Sequence, residues 1–203
     1  MARTSPEAPA RKAGLKKLFR KGAPEAVAAE EPTGPHVIDS ESGLGNDREL
    51  YELLRREIAR SRRYGDRSTL VVFDIRVVGY EATPEAPLPP SPAKFVAETL
   101  LSCIREADFV TRLDMTHFVV LLTECDREGA RQFAERARTR IASAPYARGQ
   151  NTGHIYARAW AGYASWDPSI AKPEEYLSAA MAEFERTRPQ YEMAQLWFGG
   201  AIG

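Results

Sequence analysis

The chain has 203 residues, 43% of them hydrophobic, with 28 basic and 28 acidic side chains and no formal net charge. That length and apolar content suit a single core-forming unit of about 150 residues plus tails. The charge balance offers no field for nucleic acid or a membrane surface, and no apolar run reaches the roughly 18 residues a bilayer span needs, so neither nucleic-acid binding nor an integral membrane segment is expected.

Two cysteines, Cys103 and Cys125, lack CxxC spacing and no secretory h-region precedes them, which points to a reducing cytoplasm. Residues 1–35 hold five of the 14 prolines and no sustained period, so they read as a flexible Pro/Ala-rich tail, with the folded unit spanning 36–203. Inside the tail, "RKAGLKKLFRK" (11–21) carries six basic residues and no acid, with Leu15, Leu18 and Phe19 at helical spacing. It reads either as a docking segment for a protein partner or acidic lipid, or as a solvated basic linker.

From residue 46 the pattern becomes regular. Asn46 or Asp47 caps a helix with Leu50, Leu53, Leu54 and Ile58 on one face, and Gly65 lies just past its end. "TLVVFDIRVV" (69–78) is a continuous β-branched and aromatic run, which predicts a central strand interrupted by Asp74. Ser91 and Pro92 start a helix that carries Val96, Leu100 and Cys103 on one face and ends near Arg105. Strands at 109–113 and 117–123 form a hairpin, followed by a helix with Ala130, Phe133, Ala134, Ala137 and Ile141 inward. A strand at 154–166, a helix at 174–187 and an edge strand at "AQLWF" (194–198) complete the set. The order predicts an α+β fold, a mixed central sheet flanked by helices.

The hairpin turn poses a question. "RLDMTHFVVLL" (112–122) places Asp114, Met115 and Thr116 where tight turns recruit Gly or Asn. Longer stretches bear on the answer. "DSESGLGNDREL" (39–50) is similar to the opening segment of the GGDEF domains, the diguanylate cyclase fold, with Asp39, Gly43, Leu44, Asn46 and Arg48 kept. "ARSRRYGDRSTLVVFDI" (59–75), "CIREADFVTRL" (103–113), "AGYAS" (161–165) and "AAMAEFERTR" (179–188) resemble further stretches of that family in order, from about residue 38 to 198.

In the register of this resemblance Asp114, Met115, Thr116 and His117 replace Gly, Gly, Asp and Glu, and of the signature only Phe118 survives. The family's chemistry uses two Mg²⁺ ions held by carboxylates, and one of these carboxylates is retained as Asp74. His117 is a poor Mg²⁺ ligand, and side chains at Asp114 and Met115 enter space that glycines leave to substrate. Thr187 stands where the family has a phosphate-facing lysine, flanked by Arg186 and Arg188. Between the first strand and its helix, "GYEATPEAPLPPSPA" (79–93) holds five prolines in place of the family's guanine-recognising segment, with Pro89 and Pro90 at the Gly-Asp positions. It reads either as a partner-binding loop or as one that has drifted. The resemblance therefore implies a degenerate GGDEF domain at 36–203 with no catalytic residues, no cofactor, no bound metal and no cyclase activity. A metal shared by His117 and Asp74 is set against a simply packed strand histidine.

"READ", Arg105 to Asp108, falls at the family's inhibitory site, where an Arg-x-x-Asp turn binds cyclic di-GMP, and Arg136 falls where the family supplies another arginine. A guanidinium can fork onto guanine or phosphate, and a carboxylate can accept from guanine N–H groups; the plain alternative is a solvated salt bridge at a helix end. The resemblance thus implies a bacterial, cytoplasmic cyclic di-GMP effector or scaffold with its ligand at Arg105, Asp108 and Arg136, protein partners at the tail or residues 79–93, and a possible homodimer. The other reading is a nucleotide-independent docking scaffold.

Overall fold

In the computed structural model, residues 38–80, 88–149 and 153–198 are described, with side chains to 188. Along them run α1 (Asp47–Tyr64), β1 (Ser68–Val78), α2 (Ala93–Leu101), β2 (Phe109–Arg112), β3 (His117–Thr123), α3 (Arg127–Ser143), β4 (Pro145–Gly149), β5 (Gly153–Ser165) and α4 (Pro173–Phe198). The expected tail, with its basic segment at 11–21, lies outside the described residues, as does most of the proline-rich loop.

Helix α1 starts where its cap predicts: the Asn46 side chain accepts from the backbone N–H groups of Arg48 and Glu49. It ends at Gly65, whose φ of 72° supplies the left-handed residue from which the N–H returns to the Ser61 carbonyl. Asp126 caps α3 in the same way, and the five residues expected inward on that helix are its buried face. Helix α2 is shorter than expected. It stops at Leu101, and Cys103 lies beyond it, packed at the edge of the core.

The five strands lie in the order β2-β3-β1-β5-β4. The continuous apolar run is the central strand, as its sequence predicts, and its first eight residues are buried. Every ladder is antiparallel, which corrects the expected mixed sheet. The crossover from β1 through α2 to β2 skips a position that β3 then fills from the opposite direction, so strands running the same way are never neighbours. Strand β4 went unpredicted because "PYARG" opens on proline and carries no apolar alternation. The expected edge strand at 194–198 is instead the end of α4. A short apolar run cannot separate strand from helix, and residues 190–198 contain strong helix formers with no glycine or proline to stop them.

Alternation along β1 divides the two faces. Val71, Phe73 and Ile75 join Val96 and Leu100 of α2 and Phe133, Ala137 and Ile141 of α3 in one core cluster. On the other face Asp74 lies opposite His117 of β3, whose ring meets Phe184 of α4 edge-on at 6.3 Å. Gly162 lets α4 approach β5 closely: a Cβ there would lie 2.3 Å from the Phe184 backbone nitrogen.

One polar side chain joins the N-terminal segment to the sheet. Arg112, the last residue of β2, is 6% exposed. Its Nη1 donates to Asp39 Oδ1 at 2.9 Å and to the Glu41 carboxylate. Its Nε and Nη2 donate to the carbonyls of Asp114 (3.0 Å) and Met115 (3.3 Å), and its backbone N–H donates to Gly45. Burial alone would raise the Asp39 carboxyl pKa, but hydrogen bonds from Ser42 and Arg112 hold it below the usual carboxylate range. Arg112→Ala removes the cation that faces Asp39 and Glu41 and the donor to two carbonyls, and is expected to destabilise the fold by about 3 kcal/mol in urea denaturation. Asp39→Asn in that background should recover part of the loss. An Arg112→Ala unfolding midpoint equal to the wild type would refute this role.

Candidate functional site

The hairpin turn answers the question raised by its sequence. The Asp114 carboxylate accepts from the backbone N–H of Thr116 at 2.9 Å and of His117 at 2.8 Å, an Asx-type closure that needs no left-handed residue. Among the described residues the one non-glycine with positive φ is Glu124, so Asp114, Met115 and Thr116 turn the chain without that strain. His117 Nδ1 lies 2.9 Å from Asp114 Oδ2, so the side chains that replace the signature hold one another. Met115 projects at the tip, 76% exposed.

The electrostatics of this pair follow from the geometry. Burial of the half-buried imidazole pushes its pKa down, but the Asp114 hydrogen bond and charge, together with Asp74, outweigh burial and the nearby Arg76 and raise it. Burial likewise acts to raise Asp114, and the bond and charge of His117 overcome it and lower its pKa.

Asp74 is 2% exposed and sits beside this turn. Arg76, two residues along the same strand face, clamps its Oδ2 with Nη2 at 2.8 Å and Nε at 3.0 Å. Sequence reasoning missed this clamp, although the i, i+2 spacing of opposite charges on a strand was its available signal. Asp74 Oδ1 is buried without a hydrogen-bond partner. That single orphan oxygen is the only feature here that suits a cation. A Mg²⁺ ion wants an octahedron of oxygens, whereas here one carboxylate oxygen faces a guanidinium and the Asp114 carboxylate serves the turn. The residues present do not fit the ion. Among the described residues no group of three His, Cys, Asp or Glu side chains is placed to hold any metal.

Around the expected phosphate side of α4, Arg186 pairs with Glu183 at 2.8 Å, Arg188 approaches Glu185 at 3.7 Å, and the Thr187 hydroxyl donates to the Glu183 carbonyl. The end of the proline-rich loop is tied down: the Tyr146 hydroxyl of β4 donates to the Pro90 carbonyl at 3.0 Å, and Ser91 Oγ donates to Glu41. Leu88 next to it stands 89% exposed.

At the other end of β2 lie Arg105 and Asp108. Asp108 is 9% exposed, and its carboxylate points inward: Oδ2 accepts from the Arg105 backbone N–H at 3.0 Å and Oδ1 from the Thr123 N–H at 3.0 Å. It is a turn-building carboxylate, a role the four-residue motif alone could not reveal. The Arg105 side chain that it positions is exposed and makes no hydrogen bond among the described residues. Arg136 lies across from it on α3, with Nη2 3.5 Å from the Cys103 carbonyl and its guanidinium over the Phe133 ring. Cys103 has Arg140 Nη1 3.7 Å from its sulfur. Arg136 thus touches the chain two residues before Arg105, Asp108 holds the Arg105 backbone N–H just before β2, and Asp74, Asp114 and His117 lie at the other end of the strand.

The comparisons agree with this architecture. A family described as "Diguanylate cyclase, GGDEF domain" matches residues 94–193. Diguanylate cyclase DgcP of Pseudomonas aeruginosa is 36% identical over 117 residues, which cover 54% of this chain and 16% of that protein. Diguanylate cyclase SiaD from Pseudomonas aeruginosa, solved with its activator SiaC, aligns with a TM-score of 0.65 at 22% identity over 76% of this chain and 58% of its own. The coiled coil and GGDEF domain of DgcB from Caulobacter crescentus, solved with cyclic di-GMP, aligns with a TM-score of 0.61 at 15% identity over 76% of this chain and 81% of its own. At these identities the two structures establish a shared fold. The family match places a GGDEF domain over residues 94–193 of this chain, and the shared fold agrees with it.

Proposed function

We propose that this chain is a catalytically inactive GGDEF-domain protein that binds cyclic di-GMP as an effector or scaffold. Arg105 and Arg136 supply the ligand contacts, and Asp108 fixes Arg105 in place. The observation that carries this reading is the exposed Arg105 guanidinium, with its donors unspent, on a turn locked by a buried carboxylate. The turn fixes the backbone from which Arg105 projects, so only its side chain is left to be ordered on binding. That DgcB was solved with the same dinucleotide supports the choice of ligand.

Inactivity rests on the turn. The one retained metal carboxylate is neutralised by Arg76, and the signature side chains hold each other instead of facing a substrate. A cytoplasmic location is part of this proposal; among the described residues no helix is long and apolar enough to cross a membrane. A second reading, a nucleotide-independent docking surface, has one observation in its favour: Leu88 is held out to solvent beside the Pro90 segment that Tyr146 anchors. That SiaD was solved with a protein activator shows that a protein of this fold can take a protein partner. Homodimerisation belongs with these proposals.

Titration calorimetry of cyclic di-GMP into the purified chain is the primary test. Wild type should bind saturably, and Arg105→Ala, at an exposed position, should weaken binding tenfold or more at unchanged stability, since hydrogen bonds to charged groups contribute about 1.5–3 kcal/mol. Equal binding by the variant would remove Arg105 from the site, and no heat from wild type would favour the docking reading. Incubation with GTP and Mg²⁺ should yield no cyclic di-GMP; product above background would end the claim of inactivity.

The histidine pair makes a further prediction. Because His117 has a raised pKa when folded, its contribution is complete below the ordinary histidine value of about 6.5 and is lost as pH rises through the raised value. Asp114, lowered when folded, contributes above about 3.8 and its share is lost as pH falls through the lowered value. Urea midpoints should therefore decline from pH 6 to pH 9 in wild type and decline less in His117→Gln. Parallel curves for the two proteins would show that the pair does not stabilise the turn.

A further inference from the structure

A third guanidinium reaches the segment just before Arg105 that Arg136 also contacts. Arg140 lies one helical turn beyond Arg136 on α3. Its Nη1 donates to the Ser102 carbonyl at 3.3 Å and contacts the Ser102 hydroxyl at 3.2 Å, while Arg136 reaches the next carbonyl, that of Cys103. The two heads thus rest on consecutive carbonyls just past α2, and Arg105 follows two residues later.

All three side chains are exposed. A guanidinium carries five N–H donors. Here Arg136 and Arg140 each commit one nitrogen to the α2 end, and Arg105 commits none of its side chain among the described residues. Like charges one turn apart on a helix repel. The acid nearest in sequence on α3, Glu135, is engaged with Arg138 at 3.1 Å instead. Asp108 is turned inward, and Glu106 forms no ion pair among the described residues. Carbonyls at a helix C-terminus hold cations favourably, which fixes the two heads without using up their outward donors. The result is a concentrated, pre-positioned set of donors suited to a ligand with more than one anionic group.

We infer that Arg140 is a phosphate-binding residue of this site and holds one of the two phosphodiesters of a cyclic dinucleotide, while Arg105 and Arg136 engage the rest of the ligand. This inference rests on the proposed function and deepens it. A cyclic dinucleotide presents two singly charged phosphodiesters on opposite sides of its ring, so a second, separate cation adds a contact that one arginine cannot make. The planar fork of arginine suits a phosphate with two free oxygens.

The test uses the full chain and cyclic di-GMP at fixed ionic strength, with Arg140→Gln, Arg140→Lys and, as a charge-matched control on the same helix, Arg131→Ala. Glutamine keeps an amide donor for the Ser102 carbonyl but removes the charge, so a merely structural role predicts little change in affinity. Arg140→Gln should weaken binding about five- to tenfold with its unfolding midpoint unchanged. Arg140→Lys should recover most of the affinity, and Arg131→Ala should bind like wild type. Wild-type affinity in Arg140→Gln, alongside loss in Arg105→Ala, would overturn the role of Arg140 and leave the site standing. An equal loss in Arg131→Ala would reduce the effect to general charge and also overturn it. Absence of binding by the wild type would instead bring down the functional reading, and Arg140 with it.

Discussion

The buried guanidinium of Arg112 is the constraint on which the two ends of this domain depend. It stands at the end of a four-residue strand and spends its donors on Asp39, Glu41 and the carbonyls of the hairpin turn, while its backbone closes the outer edge of β2 against Gly45. A buried cation is tolerated only when its hydrogen bonds are met. The segment before α1 must therefore fold back over the sheet, and the turn must present its carbonyls inward. With that end fixed, the short strand sets the other: Asp108, directly before β2, bonds to the Thr123 N–H at the far end of β3. The Arg105 backbone is held in turn by Asp108, at the opposite end of the same strand from Arg112. The strand between them spans roughly 13 Å at about 3.3 Å per residue.

The turn shows how a hairpin can close without glycine. Glycine makes a tight reversal cheap through backbone freedom; Asp114 achieves it through a side chain that takes the place of missing backbone acceptors. That solution has a chemical cost. A carboxylate occupied by two N–H groups and an imidazole is poorly placed to coordinate anything else, and the space a glycine would leave open now holds side chains. Asp114, Thr116 and His117 are thus partnered within the turn, while Met115 is held through its carbonyl and its side chain stands in solvent.

Legibility in the sequence followed the strength of the local signal. Helices α1 and α3 and strand β1 were readable because caps and apolar periods agreed over more than ten residues. The antiparallel arrangement was not, since pairing direction depends on which position a crossover skips, and "AQLWF" carried no information separating strand from helix. Arg105, Asp108 and Arg136 were expected at a ligand site from the position of the motif, but the inward aim of Asp108 could not be read, because it is set by Thr123, fifteen residues away. The Asp74–Arg76 clamp and the reach of Arg112 to Asp39 required knowing which strand faces are covered. Arg140 looked like any helix-surface arginine until the end of α2 was in view.

The charges are arranged differently at the two ends of β2, and this difference bears on where a ligand can gain free energy. At the turn, Asp74 faces Arg76, His117 faces Asp114, and Arg112 faces Asp39 and Glu41. Apart from the orphan Oδ1 of Asp74, the charged groups named there already face opposite charges, so a new contact is largely offset by the one it breaks, the same exchange that makes a hydrogen bond's net contribution small in water. At the α2 end the acid is committed inward to backbone N–H groups, and the guanidiniums point outward with donors in hand. An anion arriving there replaces only water, and the carbonyls beneath the arginines keep their bonds. An anionic ligand therefore has more to gain at the α2 end than at the hairpin, even though the hairpin is where the family's signature lies.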